Sequence, residues 1–195
     1  MNVLVLGKIG SPLTPIIRAS GCDVIESTST IDVEFLQENH IGYSVVYGYR
    51  HIIKKPVIDH LNGKIINLHI SLLPWNRGAD PNLWSFLEDT PKGVTIHYID
   101  EGLDTGDILA SNELFFDEGC ETLASSYKKL NDAMIDLFSH LWPDILLGKL
   151  PGQKQPPGGT FHLLKDKKRY EHLLSAKGWE TPVKELVGKA VTNNG

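Results

Sequence analysis

Positive charge, cysteine and long apolar runs are all scarce in this chain. Of its 195 residues, 19 are Lys or Arg and 24 are Asp or Glu, a formal net charge of −5. That balance removes the global attraction that phosphate-backbone binders commonly use, so nucleic acid is not expected as a partner. The one conspicuous basic run, Lys165-Asp166-Lys167-Lys168-Arg169, reads as a solvated helix face. Cys22 and Cys120 form no Cys-x-x-Cys pair and suggest no disulfide framework. There is no His-Glu-x-x-His and no Cys/His cluster, which leaves metal chemistry without support. Gly7-Lys8-Ile9-Gly10-Ser11 is neither Gly-x-Gly-x-x-Gly nor a Walker loop, so a nicotinamide or ATP site has little support either. No apolar run approaches bilayer-spanning length, and Asn2-Val3-Leu4-Val5-Leu6 lacks the flanks of a signal peptide. A soluble, reducing, cytoplasmic setting is expected, with no membrane partner.

What is present is an ordinary globular composition, 41% hydrophobic and 22% charged, enough for one good core. Short apolar runs alternate with helical spacing. Strands are expected at residues 3–6, 22–25, 43–47, 64–68, 93–99 and 108–109. Helices are expected at 13–19, after Thr30 or Asp32, around Pro56 and at 81–87. From 121 to 147 runs the longest helical pattern, with Leu123, Tyr127, Leu130, Met134, Leu137 and Leu141 as a stripe that packs on the sheet, and Pro143 as a stop or kink. This alternation predicts an α/β fold with a doubly wound, mostly parallel, Rossmann-like sheet and flanking helices. Residues 1–150 read as the catalytic domain. Residues 150–159, rich in Pro, Gly and Gln, read as a linker or a loop crossing the surface, and 151–195 as a short C-terminal extension packed on the domain or trailing from it. Residues 161–174 look like a short amphipathic piece, and Thr192-Asn193-Asn194-Gly195 is expected to fray.

Three polar residues stand where apolar strands give way to loops. Asn67 and His69 are two apart, so on an extended backbone they leave the same face. Asp104 lies in a loop held by Gly102 and Gly106. In open α/β sheets, ligands gather at the carboxyl ends of strands. Taken alone, Asn and His at a strand end more often satisfy backbone groups, and Asp before Thr-Gly more often makes a turn. Ser71 has no Gly-x-Ser-x-Gly setting and reads as a loop cap. Gly10 and Ser11 sit where amides could meet an acceptor phosphate, though a plain tight turn accounts for them as well.

The wider wording changes the balance. Asn67-Leu68-His69-Ile70-Ser71-Leu72-Leu73-Pro74, then Gly93-Val94-Thr95-Ile96-His97-Tyr98-Ile99-Asp100, then Leu103-Asp104-Thr105-Gly106-Asp107 together resemble the folate-dependent formyltransferases. The three blocks stand in the family's order and at similar separations. The resemblance implies the formyltransferase fold, an enzyme, and 10-formyltetrahydrofolate as formyl-donor cosubstrate. It also implies that Asn67, His69 and Asp104 are catalytic. Formyl transfer to an amine needs a donor aimed at a developing oxyanion and a group that handles a proton near neutrality. Asn67 suits the first need, His69 either, and Asp104 would orient the imidazole or a water. The resemblance further places the pterin between Arg50-His51-Ile52-Ile53 and Glu101-Gly102-Leu103.

The acceptor is a small phosphorylated amine in two of the family's three main branches. Trp75-Asn76-Arg77-Gly78-Ala79-Asp80-Pro81 looks most like the nucleotide-sugar N-formyltransferases, where Arg77 would pair with a diphosphate, Trp75 stack on a ring, and Asn76 and Asp80 meet polar groups. Ile70 stands where the glycinamide ribonucleotide branch usually has Pro. The methionyl-tRNA branch carries a sizeable C-terminal β domain, which 151–195 is too short to supply. The purine enzyme remains the leading alternative, followed by a formyltetrahydrofolate hydrolase, a methionyl-tRNA formyltransferase-like protein or a non-catalytic folate-binding module. The sugar branch often dimerises, so a homodimer is among the expectations.

Overall fold

Val3, Leu4, Val5 and Leu6 are all 1% exposed or less in the first strand, β1 (Asn2–Gly7), so both of its faces are covered. Parallel strands buried on both faces read as continuous apolar runs, and this one does. The computed structural model describes residues 1–174 and 178–191; the tail expected to fray, 192–195, lies outside them. After β1 come α1 (Leu13–Ala19), β2 (Asp23–Ser27), α2 (Val33–Glu38), β3 (Ile41–Tyr47), α3 (Lys55–Leu61) and β4 (Ile65–His69). Then follow β5 (Arg77–Gly78), α4 (Pro81–Leu87), β6 (Gly93–Tyr98), β7 (Ile108–Glu113), α5 (Leu123–Leu146) and β8 (Phe161–His162). Three 3-10 turns close the described chain, at Asp166–Leu173, Gly178–Glu180 and Val183–Glu185.

The main sheet has the order β2-β1-β3-β4-β6-β7, and β5 with β8 makes a two-stranded ribbon. β1 pairs in parallel with β2 and β3, and β3 with β4. The order reverses at β1, the kind of switch point where a crevice opens at the strands' carboxyl ends. Gly7 ends β1 at a φ of 147°, and a side chain there would strike the Tyr47 carbonyl, so only glycine fits.

Contacts divide the chain into two compact units. The first comprises 1–69, 96–110 and 135–155. Its core on one face of the sheet joins Leu4, Leu6, Leu36, Val46, Val57, Leu61 and Ile65. Elsewhere in it, Trp142 meets Tyr43 edge to face at 5.4 Å and donates its indole N–H to Ser20 Oγ at 3.0 Å. The second unit comprises 70–95, 111–134 and 156–195. There α4 is buried over its last six residues, and its Leu83, Trp84, Phe86 and Leu87 cluster with Leu123, Val183 and Leu186.

Several expectations change. Residues 151–155 group with the first unit, and among the described residues of 156–191 Val183 and Leu186 are fully buried in the second. The 150–159 stretch is not a bare linker, since Gln153 bridges Ile108 antiparallel. Residues 161–174 make a short strand and an eight-residue 3-10 helix, with Phe161 and His162 paired in parallel to Arg77 and Gly78. On α5 the buried stripe is Leu123, Leu130, Met134, Phe138, Trp142 and Ile145, whereas Tyr127 is exposed and Leu137 and Leu141 are half-buried. Steps of four carry the stripe slowly around a helix of 3.6 residues per turn, so Phe138 and Trp142 displace the leucines beside them. Pro143 lies inside the helix, which continues to Leu146.

Candidate active site

β4 delivers the Asn-x-His pair at its carboxyl end. Its pleat puts Asn67 and His69 on one side, with buried Leu68 on the other. The loop from β6 to β7 brings the carboxylate. Asp100 accepts from the Gly102 N–H at 3.0 Å and the Thr105 hydroxyl at 2.7 Å, an Asx-type turn that shapes this loop. Asp104 stands in the left-handed region at φ 52°. All of these residues belong to the first unit.

Asn67 Nδ2 donates to Asp104 Oδ1 at 3.0 Å and lies 3.2 Å from His97 Nε2. His69 Nδ1 is 3.7 Å from Asp104 Oδ2. The His97 ring meets the His69 ring edge to face at 6.3 Å, and its Nε2 lies 3.5 Å from Asp104 Oδ1. His97 Nδ1 sits 2.7 Å from the Tyr98 carbonyl, which only a protonated Nδ1 can use, so Nε2 is an acceptor in the neutral ring. The Asn67 amide therefore bridges two acceptors, Asp104 and His97, with one hydrogen each. That differs from the role its residue type suggests. Both hydrogens are spent within the protein, and the amide's remaining polar atom is Oδ1, an acceptor.

His97 is the member that residue patterns did not single out for catalysis. Its alternating strand, with buried residues on both sides, makes it look like a core histidine, and it is buried. Its signal is tertiary, since β6 lies beside β4 in the sheet. Among the described residues no group of three or more His, Cys, Asp or Glu is arranged to hold a metal ion.

The loops assigned to the pterin also lie in the first unit. After β3, Arg50 and His51 are exposed, with the His51 ring 5.2 Å from that of Tyr49. Ile52 is 89% exposed, whereas Ile53 is half-buried against the core, so of the two only Ile52 is offered to a ligand. Across the sequence, Leu103 is 44% exposed, and Glu101 pairs with Lys55. Two large apolar side chains left in water on loops at strand ends suit the face of a flat aromatic ring.

The acceptor assignments fare differently. The Gly10 and Ser11 amides already hold an anion: they donate to the Glu26 carboxylate at 2.7 and 3.0 Å, and Thr14 Oγ1 joins them. A phosphate has no open amides there. The Thr14 hydroxyl first, then the Gly10 amide, hold the Glu26 carboxyl below its ordinary range. In the second unit, Asn76 is fully buried, and its Nδ2 donates to Thr90 Oγ1 at 2.7 Å. It is a structural tie. Asp80 pairs with Lys167 at 3.2 Å, the Arg77 guanidinium reaches the Gly158 carbonyl at 3.5 Å, and Trp75 is half-buried. Ser71 donates to the Trp75 carbonyl, a loop-closing bond of the kind expected of it.

A sequence model of the Formyl transferase family matches residues 21–140. Methionyl-tRNA formyltransferase of Finegoldia magna is 40% identical over 101 residues, 50% of this chain and 33% of that protein. The chain spans about a third of the length of such curated relatives. Among solved structures, the formyltransferase PseJ from Anoxybacillus kamchatkensis, in complex with UDP-4,6-dideoxy-4-formamido-L-AltNAc and tetrahydrofolate, is 46% identical. It superposes with a TM-score of 0.93 over 97% of this chain and 100% of that one. A 4-N formyltransferase from Francisella tularensis, 21% identical, shares the fold with a TM-score of 0.75 over 89% of this chain and 79% of that one.

Proposed function

This chain belongs to the formyl transferase family, and on that premise we propose that it moves a formyl group from 10-formyltetrahydrofolate to the amine of a nucleotide-linked amino sugar. The observation that carries the chemistry is the convergence of Asn67, His69 and Asp104 at one strand end, with Asp104 3.0 Å from the amide and 3.7 Å from the imidazole. The acceptor class rests on the full-length likeness to a formyltransferase whose structure holds a UDP-linked formamido sugar and tetrahydrofolate. Exposed Ile52 and Leu103 fit the donor's pterin ring.

When bound, the donor supplies an activated formyl carbon. The chain's own residues then have distinct tasks. Asp104 lies 3.7 Å from His69 Nδ1 and orients the ring, and His69 takes the proton that the amine must lose. As imidazolium, His69 is also the charged donor for the developing oxyanion, and the proton is finally returned to the donor's leaving nitrogen. Asn67 holds Asp104 and His97 apart while bonding both, and its Oδ1 can accept from the attacking amine. Protons balance: the amine loses one and the released tetrahydrofolate gains one.

Incubation with 10-formyltetrahydrofolate and a panel of UDP-, dTDP- and GDP-linked amino sugars, followed by mass detection, tests the assignment. A formylated nucleotide sugar is expected. Turnover with glycinamide ribonucleotide or methionyl-tRNA instead, or formate release without any acceptor, would move the chain to another branch.

A further inference from the structure

Asp104 is the residue on which the whole constellation depends, and it sits on a loop. Its φ of 52° is a conformation that residues with a side chain seldom adopt unless surrounding contacts impose it. The Asp100 turn shapes the loop from within. A second set of contacts comes from outside, from the stretch whose composition reads as a linker. Ile108 N–H donates to the Gln153 carbonyl at 2.7 Å, and Gln153 N–H to the Ile108 carbonyl at 2.8 Å. Lys154 Nζ lies 2.8 Å from Asp107 Oδ1. Gln155 Nε2 then donates to two carbonyl oxygens, that of Asp104 at 2.8 Å and that of Gly106 at 2.9 Å.

We propose that Gln155 is a positioning residue of the active site, clamping the Asp104 backbone so that the carboxylate meets Asn67 and His69. A primary amide has two hydrogens, and the two carbonyls flanking Thr105 take both. The clamp therefore fixes the backbone on each side of the peptides that follow Asp104. On the far side of the turn, a Cβ on Gly106 would strike the Tyr98 carbonyl, so the chain is pressed there against β6 and cannot yield. Between the side-chain clamp and that wall, the left-handed residue has one place to stand. The segment 153–155 is thus a strap across the catalytic loop, and its middle residue, Lys154, points its charge to solvent-side Asp107 without touching the site. A displacement of about 1 Å at a reacting group costs on the order of 10² in rate, so two bonds at this point matter more than their intrinsic strength suggests.

The effect on rate rests on the formyl-transfer reading, but the effect on the loop does not. The test compares Gln155→Met, which keeps size and loses both donors, and Gln155→Glu, which turns two donors into acceptors facing carbonyls, with Lys154→Met as control. Two readouts are taken on the full-length protein: steady-state formyl transfer and amide hydrogen exchange across 100–108. Both Gln155 variants are expected to lower kcat by about 10-fold to 10²-fold, with KM for either substrate within about twofold. Exchange in 100–108 should accelerate while the strands keep their protection, and Lys154→Met, which loses only a water-exposed ion pair worth little to the loop, should keep the parent's kcat and change exchange far less than either Gln155 variant. Unchanged exchange and unchanged kcat in Gln155→Met would overturn the proposal, as would a loss confined to KM. Should the parent protein transfer no formyl group to any acceptor, the functional reading fails, and the exchange data still decide the clamp.

Discussion

At the scale of single residues, the site is a short chain of charge and hydrogen bonding in which each member has a different failure. On the proposed mechanism, His69→Ala removes both the proton acceptor and the charged donor, and turnover should fall by about 10²–10³ or more. Asn67→Ala should cost a similar factor for another reason: it withdraws the amide that keeps Asp104 and the acceptor nitrogen of His97 from facing each other bare. Folate affinity, read by calorimetry, should change little in both, because the residues offered to the pterin are on other loops. A large loss of folate binding with kcat intact would show that these residues hold the donor rather than act on it. Two-residue spacing at a strand end put Asn67 and His69 on one face, and the family wording around them is what pointed to catalysis. His97 could not, because nothing local distinguishes a histidine that closes a network from one that fills a core.

At the scale of elements, the turn between β1 and α1 shows how a pattern can be right about chemistry and wrong about the partner. Gly10 and Ser11 do present amides to an anion, but the anion is Glu26 at the end of β2. The bonded Glu26 carboxyl is held below its ordinary value of 4.5, so it stabilises the fold above that range. The contribution is lost as pH falls through the lower folded value. Glu26→Gln should thus cost about 1–2 kcal/mol near neutral pH, as loss of charge-assisted hydrogen bonds does. The difference in urea midpoint between variant and parent should shrink as pH drops below about 4. A constant difference from pH 7 to pH 3 would remove the ionic role. On α5 the same lesson recurs: apolar spacing identified the helix, yet steps of four around it brought Phe138 and Trp142, not Leu137 and Leu141, to the buried side.

At the scale of the whole molecule, a ligand that binds only the folded chain must raise its melting temperature. Tetrahydrofolate at 100 times its Kd adds about 2.7 kcal/mol, and in a chain of this size that is worth about 5–10 °C. Differential scanning calorimetry with tetrahydrofolate alone, the nucleotide sugar alone and both together should give a shift in each case. A flat melting temperature in saturating folate would withdraw the donor assignment. Among the described residues no helix is long and apolar enough to cross a membrane.

The sequence by itself determined the elements and the chemistry within reach of one strand: buried β1, the Asn67–His69 pair, the Asp104 loop with its two glycines, and the family wording that joins them. The first three are local signals, set by a period of two residues or by turn chemistry, and the last is a resemblance. Tertiary structure alone decided the rest. The bond from the Asn67 amide to His97 Nε2, which makes that histidine a member of the site, came from side-chain packing across neighbouring β4 and β6. The stretch of Pro, Gly and Gln became a strap over Asp104 because Gln153 found the edge of β7. Asn76 turned from a candidate ligand into a buried tie between Thr90 and Thr160. Within the C-terminal extension, Val183 and Leu186 became core because they met α4. Those outcomes depend on partners far apart in the chain, and a side chain's donors and acceptors do not announce which distant group will use them.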